Sequence, residues 1–239
     1  MIIILRKKSL IGLALAVMGC SLLFAGALRS WQKLSQPAAA TAVKASAILV
    51  WDAGHGGADG GAVSAEGVPE SGINLAIARR GYLLSLLCGQ RAAMTRRNEG
   101  SLASSREESI RRQKQSDTQN RLALVNGMEN AVFLSIHQNC LPTSPKTHGA
   151  MVFYNAVAPA DAIGGAVQEA LNGTVNPGNE KQCRAMGENV YLMKHIRCPG
   201  VLVECGFLSN SQEARQLQEG SYQTLLACCI LSGYFTYQG

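Results

Sequence analysis

The 239-residue chain is poor in aromatic residues and has almost no net charge outside its N-terminus. Phe, Trp and Tyr make up 5% of the residues, and the formal net charge is +6. Five of the 22 basic residues precede residue 34, where no acid occurs, which leaves 17 basic and 16 acidic residues in the rest. A nucleic-acid groove needs a basic stripe and aromatic stacking platforms. The composition therefore argues against a nucleic-acid partner.

The sequence also lacks any C-x-x-C pair. Its eight cysteines are too dilute over this length for a small disulfide scaffold. Four of them lie in apolar runs, which favours buried thiols; they are Cys88, Cys205, Cys228 and Cys229. With 47% hydrophobic residues, the chain has the composition of a globular protein that buries one core.

The N-terminus explains the excess positive charge. Three basic residues precede an uncharged, Leu- and Ala-rich run over residues 9–28, which is about long enough to span a bilayer. This pattern predicts a signal peptide or a signal anchor over residues 1–33. Ala25-Gly26-Ala27 offers a cleavage site, whereas the length of the run and Arg29 beyond it favour an anchor. We therefore expect an exported protein that contacts the membrane through this segment.

Small residues without an apolar period follow over residues 34–46 and predict a linker. From residue 47 to 239, short β runs alternate with helical patterns, which predicts a single α/β domain. Its core would be a mainly parallel, twisted central sheet of about six strands flanked by helices. The predicted strands cover residues 48–52, 92–95, 131–136, 149–154, 189–193 and 200–204. The predicted helices cover residues 70–87, 117–128, 160–171, 211–218 and 222–234, and residues 101–119 read as a polar, solvated helix or loop.

Three apolar runs of this pattern stop at a residue that can bind or assist a metal. The first leads through Asp52 to His55, the second ends at His137 and the third at Glu204. The carboxyl ends of parallel strands meet at one edge of a sheet, so we expect these side chains to converge. Two histidines and one carboxylate are a zinc set that leaves the fourth position for water, and a second carboxylate is wanted as the proton carrier. Glu70 and Glu204 can divide those two roles.

Four motifs in order resemble the zinc-dependent N-acetylmuramoyl-L-alanine amidases (amidase type 3). They are the Asp-Ala-Gly-His-Gly-Gly-Ala-Asp-Gly-Gly-Ala run at 52–62, Glu70, Ser-Ile-His-Gln-Asn at 135–139 and Val-Glu-Cys-Gly-Phe-Leu-Ser-Asn at 203–210. The resemblance implies one Zn²⁺ per chain, held by His55, Glu70 and His137, with Glu204 handling the proton of the attacking water. Residues 47–239 would then be a catalytic domain. Its reaction would be hydrolysis of the amide bond between N-acetylmuramic acid and L-alanine in peptidoglycan.

Within that family, the short membrane-anchored layout and residues 189–200 look most like the germination-specific amidases of spore formers. That likeness implies a role in spore cortex maturation, through muramic δ-lactam formation, and in germination, with the protein in the cell wall or spore envelope. A general cell-wall turnover amidase, a peptidase acting within the stem peptide and an inactive wall-binding module are the alternatives. The connection over residues 138–148 is too short for the inhibitory helix of some relatives, and no separate wall-binding domain is visible. Targeting is therefore expected from the N-terminal segment or from an activating or targeting protein partner.

Four further polar residues near these motifs are candidates for binding substrate or for supporting a metal ligand through a second contact. Surface or structural pairing is the alternative reading for each of them. They are Asp52, Arg96, Arg121 and Asn139.

Overall fold

The computed structural model describes residues 47–104 and 109–238. The predicted N-terminal signal or anchor and the linker lie outside the described residues. Among the residues that are described, no helix is long and apolar enough to cross a membrane.

Six strands and six helices alternate along this part of the chain. The strands are β1 (Ile48–Ala53), β2 (Ala92–Met94), β3 (Ala131–Asn139), β4 (Met151–Tyr154), β5 (Arg184–Ala185) and β6 (Gly200–Phe207). The helices are α1 (Glu70–Leu87), α2 (Ile110–Asn126), α3 (Ala160–Asn172), α4 (Tyr191–His195), α5 (Ser211–Gln216) and α6 (Gly220–Gln238).

The strands form one sheet in the order β2-β1-β3-β6-β4-β5. Strands β2, β1, β3 and β6 run parallel to one another, whereas β4 pairs antiparallel with β6 and β5 pairs parallel with β4. Long crossover connections join the parallel strands, as that geometry requires. The prediction of a single α/β domain with a mainly parallel six-stranded sheet is thus confirmed.

The prediction of a strand over residues 189–193 is wrong, because this segment enters helix α4. A short apolar run does not distinguish a strand from a helix by its pattern alone. The helix buries Met193 in the core and stacks Tyr191 on His195, one turn later, with ring centroids 4.0 Å apart. The sixth strand is instead the two-residue β5, which is too short and too exposed to leave an apolar signature.

Helix α2 begins earlier than the predicted residue 117. The Ser109 side chain accepts a hydrogen bond from the backbone N–H of Arg112 and caps the helix at its first turn. Only Arg121 and Val125 of this helix are buried. Every residue between Ile110 and Leu122 is polar, so apolar periodicity could not mark where the helix starts.

Two apolar layers cover the sheet. The larger one packs α1, α3 and α6 on one face, and the smaller one packs α2 and α4 on the other. Trp51 of β1 lies in the larger layer and donates from its indole nitrogen to Ser85, at 3.0 Å. A Cβ at Gly81 of α1 would lie 2.4 Å from the Trp51 ring, so only glycine allows this helix to approach β1 so closely.

All described cysteines are free, and the prediction that four of them are buried is only half right. Cys205 and Cys229 are buried, whereas Cys88 and Cys228 are exposed. Cys88 follows the last residue of α1, and Cys228 lies on the outer side of α6. The apolar run that contains Cys228 and Cys229 in α6 therefore includes one position, Cys228, that faces outward.

Strand alternation decides which way the predicted site residues face. Side chains two apart on a strand point to the same side of the sheet. Val50, Phe133 and Leu202 lie in the smaller layer. Asp52, His137 and Glu204 follow them at even spacing, so they project toward the α2 and α4 side, at the carboxyl edge of the parallel strands.

Candidate active site

The structure brings His55, Glu70 and His137 together at this edge of the sheet. One ligand atom from each residue lies within 4.8 Å of the other two. His55 Nε2 is 2.9 Å from Glu70 Oε1, and His137 Nδ1 is 3.7 Å from Glu70 Oε2. The strand ends of β1 and β3 supply the histidines, and the first turn of α1 supplies the carboxylate.

Each nitrogen of the His55 ring faces a different carboxylate. Nδ1 is 2.8 Å from Asp59 Oδ2, and Lys114 of α2 reaches the other Asp59 oxygen at 2.7 Å. A carboxylate on the far nitrogen fixes the orientation of a ligating imidazole. This contact therefore aims Nε2 at Glu70.

The Glu70 carboxylate is held by hydrogen bonds from three directions. Oε1 accepts from the backbone N–H of Ala62 at 2.9 Å, while Oε2 accepts from the N–H of Gln138 at 2.7 Å and from the Asn74 side chain at 3.2 Å. The Gln138 amide in turn donates to Asn74 at 3.0 Å. Since Gln138 follows His137, the hydrogen bond from the Gln138 N–H connects the Glu70 carboxylate to the strand that carries the second histidine.

Two glycines make room for these ligands. A Cβ at Gly54 would lie 2.3 Å from the His137 imidazole, and a Cβ at Gly61 would lie 2.2 Å from Glu70 Oε1. Gly61 also has φ of +70°, a conformation that side-chain-bearing residues rarely adopt. The glycine-rich loop thus lets the backbone pass directly against the metal-ligand candidates.

The donor set fits zinc. Two imidazole nitrogens and one carboxylate oxygen are the ligands of many catalytic zinc sites, which keep a fourth position open. Bonds of about 2.1 Å at tetrahedral angles would place ligand atoms roughly 3.4 Å apart. The contacts of 2.9 and 3.7 Å involve the two different Glu70 oxygens, and one ligand atom from each residue lies within 4.8 Å of the others, so the side chains would close inward to hold one ion.

The charges in the cluster match a cation site. Burial lowers the pKa of His55, but the hydrogen bonds and charges of Glu70 and Asp59 outweigh it and raise the pKa to about 9. Burial raises the pKa of Glu70, yet His137 and His55 outweigh this effect and bring it well below its ordinary value. Without a metal ion, His55 therefore carries a proton in the position where it would bind the metal.

Glu204 is placed differently from the other acid. It lies directly opposite His137 in the β3–β6 register, and its buried Oε2 has no hydrogen-bond partner among the described residues. Burial raises the pKa of Glu204 to about 7, with a further rise from the charge of Glu70 and an opposing effect of the histidines. An unpaired carboxyl that titrates near neutral pH is suited to accept and return a proton.

Asp52 and Arg121 form a buried ion pair behind the metal-ligand candidates. Asp52 accepts hydrogen bonds from Arg121, from the Thr95 hydroxyl at 2.6 Å and from the Ser135 hydroxyl at 2.7 Å. Burial raises the pKa of Asp52, but the Arg121 charge and the two hydroxyl hydrogen bonds more than offset it, so the net shift is downward. The His55 ring has its second carboxylate contact with Asp59 rather than with Asp52.

Arg96 lies beside this pair and donates only to backbone carbonyl groups, including those of Ala53 and Gly54. Asn139, in contrast, accepts from the backbone N–H of the next residue, Cys140, at 2.7 Å. No hydrogen bond between the described residues joins the Asn139 side chain to His55, Glu70 or His137. The structure thus places Asp52, Arg96 and Arg121 behind the cluster and leaves Asn139 with a local contact.

Three residues that contact the cluster directly, and one that contacts it through Asp59, were absent from the predicted set. They are Asp59, Asn74, Lys114 and Gln138. Asp59 had a signal, because an acid four residues after a candidate histidine can reach its ring. Asn74 follows Glu70 by one helical turn, which is also readable from sequence once Glu70 is chosen. Nothing local marks Lys114, which comes from a helix more than fifty residues away.

Comparison with known proteins agrees with this geometry. Residues 49–234 match the Amidase_3 family, described as N-acetylmuramoyl-L-alanine amidase. The chain is 33% identical over 215 residues to the germination-specific N-acetylmuramoyl-L-alanine amidase of Bacillus subtilis, covering 88% of this chain and 86% of that one.

Solved structures give the same result. The CwlD amidase from Clostridioides difficile, in complex with the GerS lipoprotein, superposes with a TM-score of 0.77 at 31% identity and covers 80% of this chain and 98% of its own. The catalytic domain of CwlV from Bacillus (Paenibacillus) polymyxa var. colistinus shares the fold, with a TM-score of 0.68 at 24% identity over 80% of this chain and 98% of that one. The family resemblance seen in the sequence is confirmed: this chain belongs to the N-acetylmuramoyl-L-alanine amidase family.

Proposed function

We propose that the protein is a zinc-dependent amidase in which His55, Glu70 and His137 hold one Zn²⁺ and Glu204 carries the proton. The substrate bond is the amide between N-acetylmuramic acid and the L-alanine of the stem peptide. One observation carries the proposal: a three-ligand cluster lies beside Glu204, whose buried Oε2 has no hydrogen-bond partner among the described residues.

When bound, zinc supplies Lewis-acid chemistry that polarises the amide carbonyl and makes water more acidic. Glu204 takes the proton of the attacking water and returns it to the nitrogen of the leaving alanine. In the metal-free chain the pKa of Glu204 is raised to about 7, which supports a carboxyl group that can both accept and donate a proton. Asp59 keeps the His55 ring in one orientation throughout.

The relatives support a proposed biological setting. The Bacillus subtilis relative is named for germination, and on that basis we propose a role in germination. The proposal also includes spore cortex maturation through muramic δ-lactam formation, which the sequence resemblance implies. Location in the wall or spore envelope is part of the same proposal, with the N-terminal segment as export signal or membrane anchor. A protein partner is included because CwlD was solved with the GerS lipoprotein.

General wall turnover is the second candidate, because the chain is also 25% identical over 189 residues to the amidase LytC of Bacillus subtilis, whose name does not refer to germination and of which it covers 34%. Complementation separates the two roles. Expression in a Bacillus subtilis strain that lacks its germination-specific amidase should restore muramic δ-lactam to the cortex, and the matched Glu204→Gln variant should not. Normal expression without δ-lactam would exclude the cortex role in favour of wall turnover.

Digestion of purified peptidoglycan, read by mass spectrometry, tests the reaction itself. We expect intact stem peptides with a free L-alanine amine, no product after chelation and recovery on adding Zn²⁺. Glu204→Gln should bind one zinc per chain and lose about a hundredfold or more of the rate. Cleavage inside the stem peptide would instead identify a peptidase, and the absence of any product from the zinc-loaded protein would indicate an inactive wall-binding module.

A further inference from the structure

Two buried arginines, Arg96 and Arg121, surround the turn that carries His55. Each side chain is only 3% exposed. Between them they donate to the carbonyl oxygens of three consecutive residues, Ala53, Gly54 and His55. These carbonyl groups lie where β1 ends and the glycine-rich loop begins.

Arg121 binds the carbonyl groups on either side of Gly54 in this turn. Its Nη1 reaches the Ala53 carbonyl at 2.7 Å and the Asp52 carboxylate at 2.5 Å, and its Nη2 reaches the His55 carbonyl at 2.6 Å. Its Nε donates to Asp117 at 2.8 Å. The two carboxylates thus orient the guanidinium, and the guanidinium orients the peptide groups on both sides of Gly54.

Arg96 joins this turn to the helix that carries Glu70. Its Nε donates to the Ala53 carbonyl at 2.9 Å, and its Nη2 donates to the Gly54 carbonyl at 3.0 Å and to the Ser71 carbonyl at 2.8 Å. Ser71 directly follows Glu70 in the first turn of α1. A single guanidinium therefore sets the spacing between two segments that each supply a metal-ligand candidate.

The backbone of His55 needs this support. Its φ of 60° is in the left-handed region, which costs energy for a residue with a side chain and persists only where the surroundings hold it. Two guanidinium groups buried side by side are also costly. Burial lowers the pKa of Arg96, and the neighbouring Arg121 charge lowers it further. The strained backbone of His55 and the burial of two neighbouring guanidinium groups therefore both raise the free energy of the folded state at this segment.

We propose that Arg96 and Arg121 are positioning residues that set His55 and Glu70 in ligand geometry before the metal ion binds. They act through backbone carbonyl groups rather than by touching substrate. The identity of the metal as zinc rests on the function proposed above. The role of the two arginines is a further step, because a fold can hold a zinc site without preorganising it.

Lysine tests this role because it keeps the charge but has no planar fork of donors. In Arg96→Lys and Arg121→Lys, the zinc dissociation constant, measured by competition with a fluorescent chelator, should rise about 10- to 100-fold. At saturating zinc, kcat should fall while KM for muropeptide stays within about twofold, since neither side chain contacts substrate.

A control variant separates positioning from general loss of stability. Gln168 is buried between α3 and β4, where it accepts from the Val152 N–H at 2.8 Å and donates to the Ala150 carbonyl at 3.2 Å. Gln168→Leu should lower the urea midpoint of unfolding and leave zinc affinity within about twofold. Thr95→Val is a milder probe of the arginine contacts, because it removes the 2.6 Å hydroxyl contact of Asp52 and a longer 3.5 Å contact from Arg121 but leaves both arginine side chains in place. It should weaken zinc binding about threefold.

The outcomes are distinct. A wild-type protein that does not bind zinc would contradict the proposed function. Tight zinc binding by the wild type that is unchanged in every folded variant, Thr95→Val included, would overturn the positioning role alone. If an arginine variant does not fold, Thr95→Val and the other arginine variant decide the question by the same affinity measurement. Equal loss of zinc affinity in Gln168→Leu and the arginine variants, at equal stability, would also overturn it.

Discussion

Replacing Glu204 with glutamine should remove activity and stabilise the metal-free protein at neutral and alkaline pH. The reason is that the fold holds this carboxyl group where its ionised form is unfavourable. Burial raises the Glu204 pKa from 4.5 to about 7, and its Oε2 has no hydrogen-bond partner among the described residues. A glutamine side chain at this position would have nearly the same shape and would stay neutral at every pH.

The sign of the pH dependence follows from proton linkage. Between pH 4.5 and 7 the folded state keeps a proton on Glu204 that the unfolded state has released. The free energy of unfolding therefore falls as pH rises through this window. A shift of roughly 2.5 units at about 1.4 kcal/mol per unit gives a loss of about 3 kcal/mol by pH 8. The variant lacks this loss.

Urea unfolding of chelator-treated protein at pH 4.5 and pH 8 measures the effect. The stability difference between Glu204→Gln and wild type should become about 3 kcal/mol more favourable to the variant at pH 8 than at pH 4.5. Comparing the variant with wild type at each pH cancels the other titrating groups. Glu219→Gln, an exposed carboxylate outside the site, is the matched control and should show no such trend.

A difference that is the same at both pH values would refute the reasoning. It would mean that the Glu204 carboxyl is as well stabilised in the fold as in water, through solvent or a partner gained by movement. The same result would remove the physical basis for giving Glu204 both proton-transfer steps. Loss of zinc binding in the variant, measured in parallel, would instead make Glu204 a metal ligand.

Three further predictions follow from the site. Because the His55 pKa is about 9 without metal, zinc binding at pH 7 should release about one proton, measured by calorimetry in buffers of different ionisation enthalpy; no release would contradict the raised pKa. Gly54→Ala should weaken zinc binding at least tenfold, since the new Cβ would lie 2.3 Å from His137. The control Gly165→Ala, whose new Cβ would have no atom within 4 Å, should bind zinc normally. Equal zinc affinities of the two variants would argue against the close approach of Gly54 to His137. Asp52→Asn should cost up to about 3 kcal/mol at pH 7, because it removes the more buried of the two carboxylates that pair with Arg121 and leaves only Asp117, and urea unfolding should show a smaller acid loss than in wild type. The lowered Asp52 pKa makes its stabilisation complete above about pH 4 and lost as pH falls through the folded value, so an unchanged acid profile would contradict that assignment.

The sequence predicted the structure correctly where a residue pattern has a single physical explanation, as in the apolar strands of the sheet. The parallel strands are nearly continuous apolar runs, because helices cover both faces of the sheet. His55, His137 and Glu204 follow such runs, so their convergence at one edge was predictable. The choice of Glu70 rather than Glu204 as the metal ligand required the family resemblance, since an acid in the first turn of a helix is common for reasons of helix polarity alone.

Sequence reasoning failed where the signal was short or polar. Residues 189–193 have the composition of a strand, yet the core accepts Met193 from a helix instead. Helix α2 was predicted to begin too late, because its exposed turns have no apolar period before Leu122. The conformation of these segments depends on the residues they pack against, and the local sequence pattern does not predict that packing.

The sequence by itself determined the fold class, the edge of the sheet where the site lies and the residue types that meet there, because strand patterning and glycine spacing are local properties of the chain. Only the tertiary structure decided how those residues contact one another. The distances between Glu70 and the two histidines, the absence of a partner for Glu204 among the described residues and the choice of Asp59 over Asp52 as the neighbour of His55 depend on contacts between distant segments. Arg96 and Arg121 show this most clearly, since a buried guanidinium and a surface one look alike in sequence, and burial against specific carbonyl groups is a property of the packed chain alone.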